Sequence, residues 1–120
     1  MSRLLVVEDD KAYRQFLSIA LDMAGYRVHA AGSGAEAIET LQTVSPDLVL
    51  LDLSMPTVTG WDVLHYMRDQ AALEHIPVVI LTANADEMTR RQTSTERANG
   101  LLVKPVSLDE ILSAVESLLS

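Results

Sequence analysis

The sequence predicts an α/β protein in which a parallel, doubly wound sheet is covered by helices on both faces. Short apolar runs alternate with amphipathic segments, so that a strand followed by a helix occurs five times. The runs are almost continuously apolar, which is typical of strands buried on both faces of a parallel sheet. Right-handed crossovers between such strands favour a doubly wound, three-layer α/β/α arrangement.

The size and composition of the chain limit its domain count and its partners. Its 120 residues suit one domain over 1–120, and it has no cysteine for disulfides or cysteine–zinc sites. The formal net charge of −8 disfavours nucleic acid and anionic membranes as partners. No apolar run is long enough to span a membrane and the N-terminus does not resemble a signal peptide, so we predict a soluble, cytoplasmic protein.

The first four elements are predicted within residues 3–43. Residues 3–8 read as a buried strand and 26–30 as a weaker one. Residues 11–24 are expected to form a helix that begins at the N-cap Asp10, and 34–43 to form a second helix. The predicted inward stripe of the first helix has apolar residues three and four positions apart, namely Tyr13, Phe16, Leu17, Ala20, Leu21 and Ala24.

The middle of the chain contributes two more strands with a helix between them. Ser45-Pro46-Asp47 breaks the chain before the strand 48–52, which is apolar up to its last residue, Asp52. Gly60 precedes the third helix, and Pro77 opens the strand 78–81. The residues of this helix that are expected to face inward are Val63, Leu64 and Met67.

The last third of the chain is less regular. Residues 86–97 contain one sizeable apolar residue, Met88, so a helix here is expected to be loosely held. Residues 101–103 read as a short strand. Ser107 and Glu110 predict a capping box for the final helix. Its expected inward stripe consists of Leu108, Ile111, Leu112, Val115 and Leu118 or Leu119.

Polar side chains follow the predicted strands at their carboxyl ends, where doubly wound folds bind ligands. They are Glu8, Asp9 and Asp10 after strand one, Asp52 at the end of strand three, Thr82 after strand four and Lys104 after strand five. Taken singly, each has an ordinary explanation as a solvated turn, a helix cap or a surface lysine. Together they place acids, a hydroxyl and an ammonium group at one edge of one sheet.

These groups match the requirements of phosphoryl transfer to a carboxylate. Clustered carboxylates repel one another unless a cation is present, and hard oxygen ligands suit Mg²⁺. A carboxylate such as Asp52 can attack a phosphoryl group and form an acyl phosphate. Lys104 and Thr82 could then hold the new phosphoryl oxygens.

Four motifs, VVEDD, DLSMPTVTG, LTA and VKP, occur in an order and spacing that resemble the receiver domain of two-component response regulators. The resemblance covers essentially the whole chain. It implies a flavodoxin-like sheet with strand order 2-1-3-4-5. It also implies a phosphoacceptor that takes a phosphoryl group from a sensor histidine kinase or phosphotransfer protein and loses it by slow autodephosphorylation, with no other enzymatic activity. No output domain is visible in the sequence, and a downstream protein is expected to bind the 84–119 face.

The resemblance implies a role for each acid at the site. Asp52 matches the phosphoacceptor. Asp9 matches a direct Mg²⁺ ligand, whereas Glu8 is expected to act mainly through water. Ser54, two residues after the acceptor, is expected to offer its backbone carbonyl to the metal.

The resemblance also implies how the phosphoryl group is held. Thr82 matches the hydroxyl that turns toward it and Lys104 the ammonium group that pairs with it. The peptide bond between Lys104 and Pro105 is expected to be cis. Pro56 and Gly60 match turn residues of the loop beyond the acceptor.

Two positions depart from the pattern of the family. Leu101 stands where an aromatic residue usually rotates inward on phosphorylation. Arg97 and Ala98 stand where Gly-Ala usually leads into strand five. We therefore expect any output to depend on motion or ordering of the 84–100 region and not on an aromatic flip.

Three other functions can be weighed against this one. A degenerate receiver that only docks partners would need no phosphorylation, and Leu101 is compatible with it. A haloacid-dehalogenase-like phosphatase would need a second acid at position 54, which is serine. A nucleotide or flavin binder would need a Gly- or Ser/Thr-rich loop after strand one, where this chain has acids.

Overall fold

The computed structural model describes residues 2–83, 86–95 and 97–119, and it contains the five strands and five helices predicted. In chain order they are β1 (Arg3–Val7), α1 (Lys11–Met23), β2 (Arg27–Ala31), α2 (Gly34–Leu41), β3 (Leu48–Asp52), α3 (Gly60–Arg68), β4 (Val78–Thr82), α4 (Glu87–Thr95), β5 (Gly100–Val103) and α5 (Leu108–Leu119). For the elements whose bounds were predicted, the ends lie within two residues of the predicted ones. In the described part of the chain, no helix has the length and apolar character needed to cross a membrane.

The strands form one parallel sheet in the order β2-β1-β3-β4-β5, which confirms the predicted topology. The topological switch point, where successive connections begin to run in the opposite direction along the sheet, lies between the neighbouring strands β1 and β3. In an open α/β sheet, the carboxyl ends of such strands flank the usual ligand-binding crevice. The register pairs Asp52 with Leu81, and Thr82 with Val103, so the last residues of β3 and β4 reach the same edge.

The sheet separates two hydrophobic cores. On one face, α2 and α3 pack against alternate residues of the strands, and on the other face α1 and α5 do so. Strands β3 and β4 are buried along their whole length because both faces are covered. Trp61, at the start of α3, is partly buried against the first core, as is Leu101 of β5.

Helix α1 follows the predicted stripe except at Phe16 and at Ala24, which is the exposed C-cap residue of the helix. Leu17 and Leu21 are fully buried, and Tyr13 packs at the edge of the core. Phe16 was expected to face inward, but this prediction is wrong, because its side chain is 48% exposed. The buried stripe is narrower than the apolar one, and Phe16 lies on its flank, where its ring stacks on Tyr13 with centroids 6.1 Å apart.

Side-chain caps fix where the helices begin. Asp10 accepts a hydrogen bond from Tyr13 N at 3.0 Å, which confirms it as the N-cap of α1. The predicted capping box of α5 is present, with Glu110 N donating to Ser107 Oγ at 3.1 Å. A second capping box, between Thr59 and Asp62, starts α3 and was not predicted.

Helix α4 is the element with the weakest sequence prediction. It is present, but the side chain of Met88, its one sizeable apolar residue, lies outside the described residues. Among the described side chains of α4, Thr93 is buried, and its hydroxyl donates to Thr89 O at 2.8 Å. The predicted loose attachment of this helix remains a prediction.

Candidate functional site

The carboxyl edge of the sheet gathers the polar residues that the sequence singled out. Glu8 follows β1, Asp52 and Thr82 end β3 and β4, and Lys104 follows β5. Glu8 and Asp52 are almost fully buried, with exposed fractions of 1% and 3%. Buried carboxyl groups are costly unless they are paired, hydrogen-bonded or bound to a cation, so this edge is a candidate for chemistry.

Three acids of this edge could hold a metal ion. Glu8, Asp9 and Asp52 each offer a carboxylate oxygen, and these oxygens all lie within 4.8 Å of one another. Asp9 is exposed, so the cluster opens to solvent on one side. Hard oxygen donors at this spacing fit a cation such as Mg²⁺, which keeps several of its waters when proteins bind it. The acids predicted as ligands are therefore brought together.

Lys104 is the cation closest to this cluster among the described residues. Its Nζ lies 2.6 Å from Glu8 Oε1 and 3.6 Å from Asp52 Oδ1. Its backbone N–H donates to Thr82 O at 2.7 Å, and its bond to Pro105 is cis, as predicted. The lysine is thus paired more closely with Glu8 than with the residue predicted to accept the phosphoryl group.

The surroundings of Asp52 raise the pKa of its carboxyl group. Its pKa is raised to about 7, chiefly by burial and further by the hydrogen bond and the negative charge of Glu8. The charge of Lys104 and the N–H of Ser54, which lies 3.2 Å from Asp52 Oδ1, oppose this shift. Burial would by itself lower the pKa of Lys104, but its hydrogen bond to Glu8 and the neighbouring charges raise it overall.

The loop after β3 is held against the acceptor strand by a close backbone approach. A side chain at Gly60 would collide with the carbonyl oxygen of Asp52 and come within 2.8 Å of Leu53 Cα. Gly60 N also donates to Leu53 O at 3.3 Å. The loop can therefore fold back onto the end of β3 because position 60 lacks a Cβ. The backbone carbonyl of Ser54 as a metal ligand remains a prediction.

Two residues of α1 contribute to the site although the sequence analysis did not assign them to it. Arg14 Nη1 donates to Glu8 O at 2.8 Å and so supports the acidic turn. The Tyr13 ring lies beside Lys104, with Nζ 5.1 Å from the ring centroid. Their position in the first turn after the acidic triplet was the available signal, because that turn begins at the same edge of the sheet.

The two departures from the family pattern have distinct local structures. Leu101 pairs with Ile80 and is partly buried. It lines a small cavity of about 240 Å³ together with residues of α4, including Thr93. Arg97 has a φ of 63°, in the left-handed region that favours glycine.

Comparison with known proteins gives a consistent result. The model of the family described as response regulator receiver domain matches residues 4–116. Curated relatives that are 36% identical include the sensor histidine kinase TmoS of Ectopseudomonas mendocina, over 98% of this chain and 12% of that protein. The transcriptional regulator RpaA of Synechocystis is also 36% identical, over 99% of this chain and 49% of its own length. The chain thus spans half or less of the length of these relatives.

Solved structures share the whole fold. The chemotaxis protein CheY4 of Vibrio cholerae superposes with a TM-score of 0.94 and 30% identity over 98% of each chain. The response regulator TrrA of Thermotoga maritima, solved in complex with Mg²⁺ and BeF, gives a TM-score of 0.87 and 31% identity, over 98% of this chain and 99% of that one.

Proposed function

The chain belongs to the response regulator receiver domain family, and we propose that it accepts a phosphoryl group on Asp52 within a two-component phosphorelay. One observation carries this proposal: Asp52 is a buried carboxyl at the end of a rigid strand, with Lys104 Nζ at 3.6 Å and the oxygens of two further acids within 4.8 Å. A nucleophile, a cation and metal ligands therefore meet at one point.

The proposed reaction moves a phosphoryl group from a histidine side chain to Asp52. A carboxylate oxygen of Asp52 forms the new bond to phosphorus while the bond from phosphorus to the imidazole nitrogen breaks. That nitrogen keeps the electron pair and takes up a proton. Attack of water on the resulting acyl phosphate returns Asp52 and inorganic phosphate, and we propose that this slow dephosphorylation is the only further reaction of the chain.

We propose that Glu8, Asp9, Asp52 and the backbone carbonyl of Ser54 hold Mg²⁺. A bound Mg²⁺ would neutralise charge on the phosphoryl oxygens during transfer. The buried position of Glu8 supports this role, because a buried carboxylate next to another acid gains from a divalent cation. Asp9 is exposed and can reach an ion that enters from solvent.

Lys104 and Thr82 are proposed to hold the phosphoryl group after transfer. Lys104 already lies between the two buried acids, so an ammonium group is available to a phosphoryl oxygen on Asp52. Thr82 ends the neighbouring strand, and its carbonyl anchors the backbone of Lys104. Because of this hydrogen bond, a backbone movement at either residue would displace the other.

The partners remain part of the proposal. The donor is a sensor histidine kinase or phosphotransfer protein in the cytoplasm, and the output is read by a protein that binds the 84–119 face. Residues 1–120 act as one receiver unit, whether the reader is a separate protein or another part of a longer chain. Curated relatives that include a sensor histidine kinase and a transcriptional regulator support both arrangements.

Intact-mass measurement with a small acyl phosphate as donor tests the proposed function. With Mg²⁺ present, the wild-type chain should gain the mass of one phosphoryl group, and Asp52→Asn should gain none. Asp22→Asn, which changes an exposed aspartate of α1, serves as the matched control and should be modified like the wild type.

The outcome also separates the alternatives. A wild-type chain that stays unmodified with several donors, with Mg²⁺ and at a pH above 7, would overturn the proposed function and favour the docking-only receiver. An adduct that survives Asp52→Asn would place the acceptor at another residue. Rapid multiple turnover of the donor without an adduct would instead indicate a phosphatase.

A further inference from the structure

The aromatic ring of Tyr13 faces the ammonium group of Lys104. Nζ lies 5.1 Å from the ring centroid, within the distance at which a cation is attracted to an aromatic face. The ring itself is braced, because it stacks on Phe16 with an angle of 24° between the ring planes. Tyr13 and Lys104 both line an open cavity of about 420 Å³ at the mouth of the site.

The other close partners of Lys104 are acids with a second role. Its Nζ contacts Glu8 and Asp52, and both carboxylates belong to the cluster that could hold a metal ion. A divalent cation would compete with the lysine for their oxygens. Mg²⁺ binds oxygen ligands and would not compete for an aromatic face in the same way. The attraction between Tyr13 and Lys104 would therefore persist when the two carboxylates bind the metal.

We propose that Tyr13 is a positioning residue for Lys104. Its ring face holds the ammonium group beside Asp52 while Glu8 and Asp52 are engaged by a divalent cation. This inference rests on the proposed function for its consequence, which is a faster transfer to Asp52. The contact between the ring and the ammonium group does not depend on that function.

The ring, and not the hydroxyl, is the active part of Tyr13. Among the residues that the structure describes, the buried Oη has no hydrogen-bond partner. Burial raises the pKa of Tyr13, and the charge of Lys104 opposes this shift, so the phenol remains neutral at physiological pH. Removal of the hydroxyl should therefore be harmless, whereas removal of the ring should not.

Lysine resonances give a direct test of the contact. The sequence contains two lysines, Lys11 and Lys104, so a sample with labelled lysine gives one site signal and one internal reference. The ring current should shift the ε-methylene protons of Lys104 upfield of those of Lys11, both with and without saturating Mg²⁺. Tyr13→Phe should keep this shift and Tyr13→Leu should abolish it. A Lys104 signal that Tyr13→Leu leaves unchanged, or that loses its shift in Mg²⁺, would overturn the proposal.

Phosphorylation rates test the consequence. Tyr13→Leu should slow formation of the phosphoryl adduct about fivefold, the ratio equivalent to the attraction of a cation for an aromatic face. Tyr13→Phe, which keeps the ring, should form the adduct at the wild-type rate. Tyr66→Leu, which removes a ring that lines a different cavity between α2 and α3, should match the wild type. In a Lys104→Gln background, Tyr13→Leu should have no further effect, and an equal effect in both backgrounds would show that Tyr13 acts on the fold and not through Lys104.

The two measurements distinguish the possible failures. If the wild type forms no adduct but the Lys104 signal depends on the ring, the proposed function fails and the contact stands. If the adduct forms normally in Tyr13→Leu, or the Lys104 signal is independent of the ring, the role of Tyr13 fails and the proposed function is untouched.

Discussion

The guanidinium group of Arg68 donates two hydrogen bonds to the backbone carbonyl of Arg97, at 3.2 Å from Nε and 2.9 Å from Nη2. Arg68 also donates to the carbonyls of Glu74 and Ile76, at 3.0 and 2.9 Å, and to the side chain of Asn99, at 3.1 Å. One side chain at the end of α3 thus links the loop before β4 to the loop before β5. These contacts lie at the amino-terminal edge of the parallel sheet, opposite the carboxyl edge that carries the acids.

Arg68→Ala should loosen this turn. Loss of hydrogen bonds to several backbone carbonyls should lower the free energy of unfolding by about 2 kcal/mol. Urea denaturation measures the loss, and hydrogen exchange should become faster over 97–100. Arg27→Ala, at an exposed arginine of β2, is the control and should change stability by less than about 0.5 kcal/mol. Unchanged exchange over 97–100 in Arg68→Ala would show that the turn does not need the arginine.

Arg97→Gly should stabilise the protein. At a φ of 63°, a side chain with a Cβ is strained by about 1 kcal/mol, and glycine is not. The side-chain contact that is lost, from Arg97 Nη2 to Arg68 O, is long at 3.4 Å. Arg97→Ala removes the same contact without relieving the backbone and should show no gain. Equal denaturation midpoints for the two variants would contradict this explanation.

Stability should depend on pH through Asp52. Its pKa is about 7 in the folded chain and 3.8 as the ordinary value. Between these two pH values, the folded state keeps a proton that the unfolded state has released, so the free energy of unfolding falls as the pH rises from about 4 to about 7. Above pH 7 the penalty is complete.

Asp52→Asn removes this penalty. In a buffer with chelator at pH 8, it should raise the free energy of unfolding by about 2 kcal/mol, about half of what the pKa shift implies, because the amide loses the charge contact with Lys104. The gain should vanish near pH 4. Asp22→Asn should show neither effect. A constant difference between Asp52→Asn and wild type across this pH range would contradict the assignment.

Addition of Mg²⁺ should stabilise the wild type. At about ten times its dissociation constant, an ion that binds the folded state alone adds about 1.4 kcal/mol. The midpoint of thermal unfolding should rise and return to its starting value with chelator. Asp9→Asn should lose most of this rise, whereas Asp22→Asn should keep it. A full response in Asp9→Asn would remove Asp9 from the set of ligands.

Phosphorylation should change the region around α4. Because Leu101 has no ring to rotate, we expect amide exchange over 86–95 and 97–100 to differ between the chain with and without a phosphoryl group on Asp52. Exchange in β2, the edge strand farthest from β5, should be unaffected. Asp52→Asn treated with the same donor should match the untreated wild type. Equal protection of the α4 region in both states would refute this route for the output.

The position of the candidate site was predictable, but the pairing within it was not. Parallel strands bring their carboxyl ends to one edge whatever their exact bounds, so an error of one residue at β1 or β4 did not move Glu8 or Thr82 away from it. Whether Lys104 lies closer to Glu8 or to Asp52 depends on how deeply these three side chains are buried and on which rotamers they adopt. No pattern in the sequence records these quantities.

Contacts to backbone groups were also beyond sequence reasoning. Arg68 donates mainly to carbonyl oxygens, and every residue has one, so the sequence carries no mark of its partners. Phe16 shows the corresponding limit for burial. Helical spacing gives the direction of an apolar face, but the width of the buried part depends on how closely α5 and the sheet approach it.

The bond between Glu8 and Lys104 joins side chains 96 positions apart in the chain. Strands β1 and β3 leave the ribosome before β5, so a growing chain has its two buried acids before it has their lysine. Closing so long a loop costs more conformational entropy than a contact between neighbours does, so we expect this ion pair to form late in folding. A chain interrupted before β5 would carry the two buried acids without the ammonium group that pairs with them. If transfer to Asp52 needs Lys104, as proposed, only the completed molecule would accept a phosphoryl group.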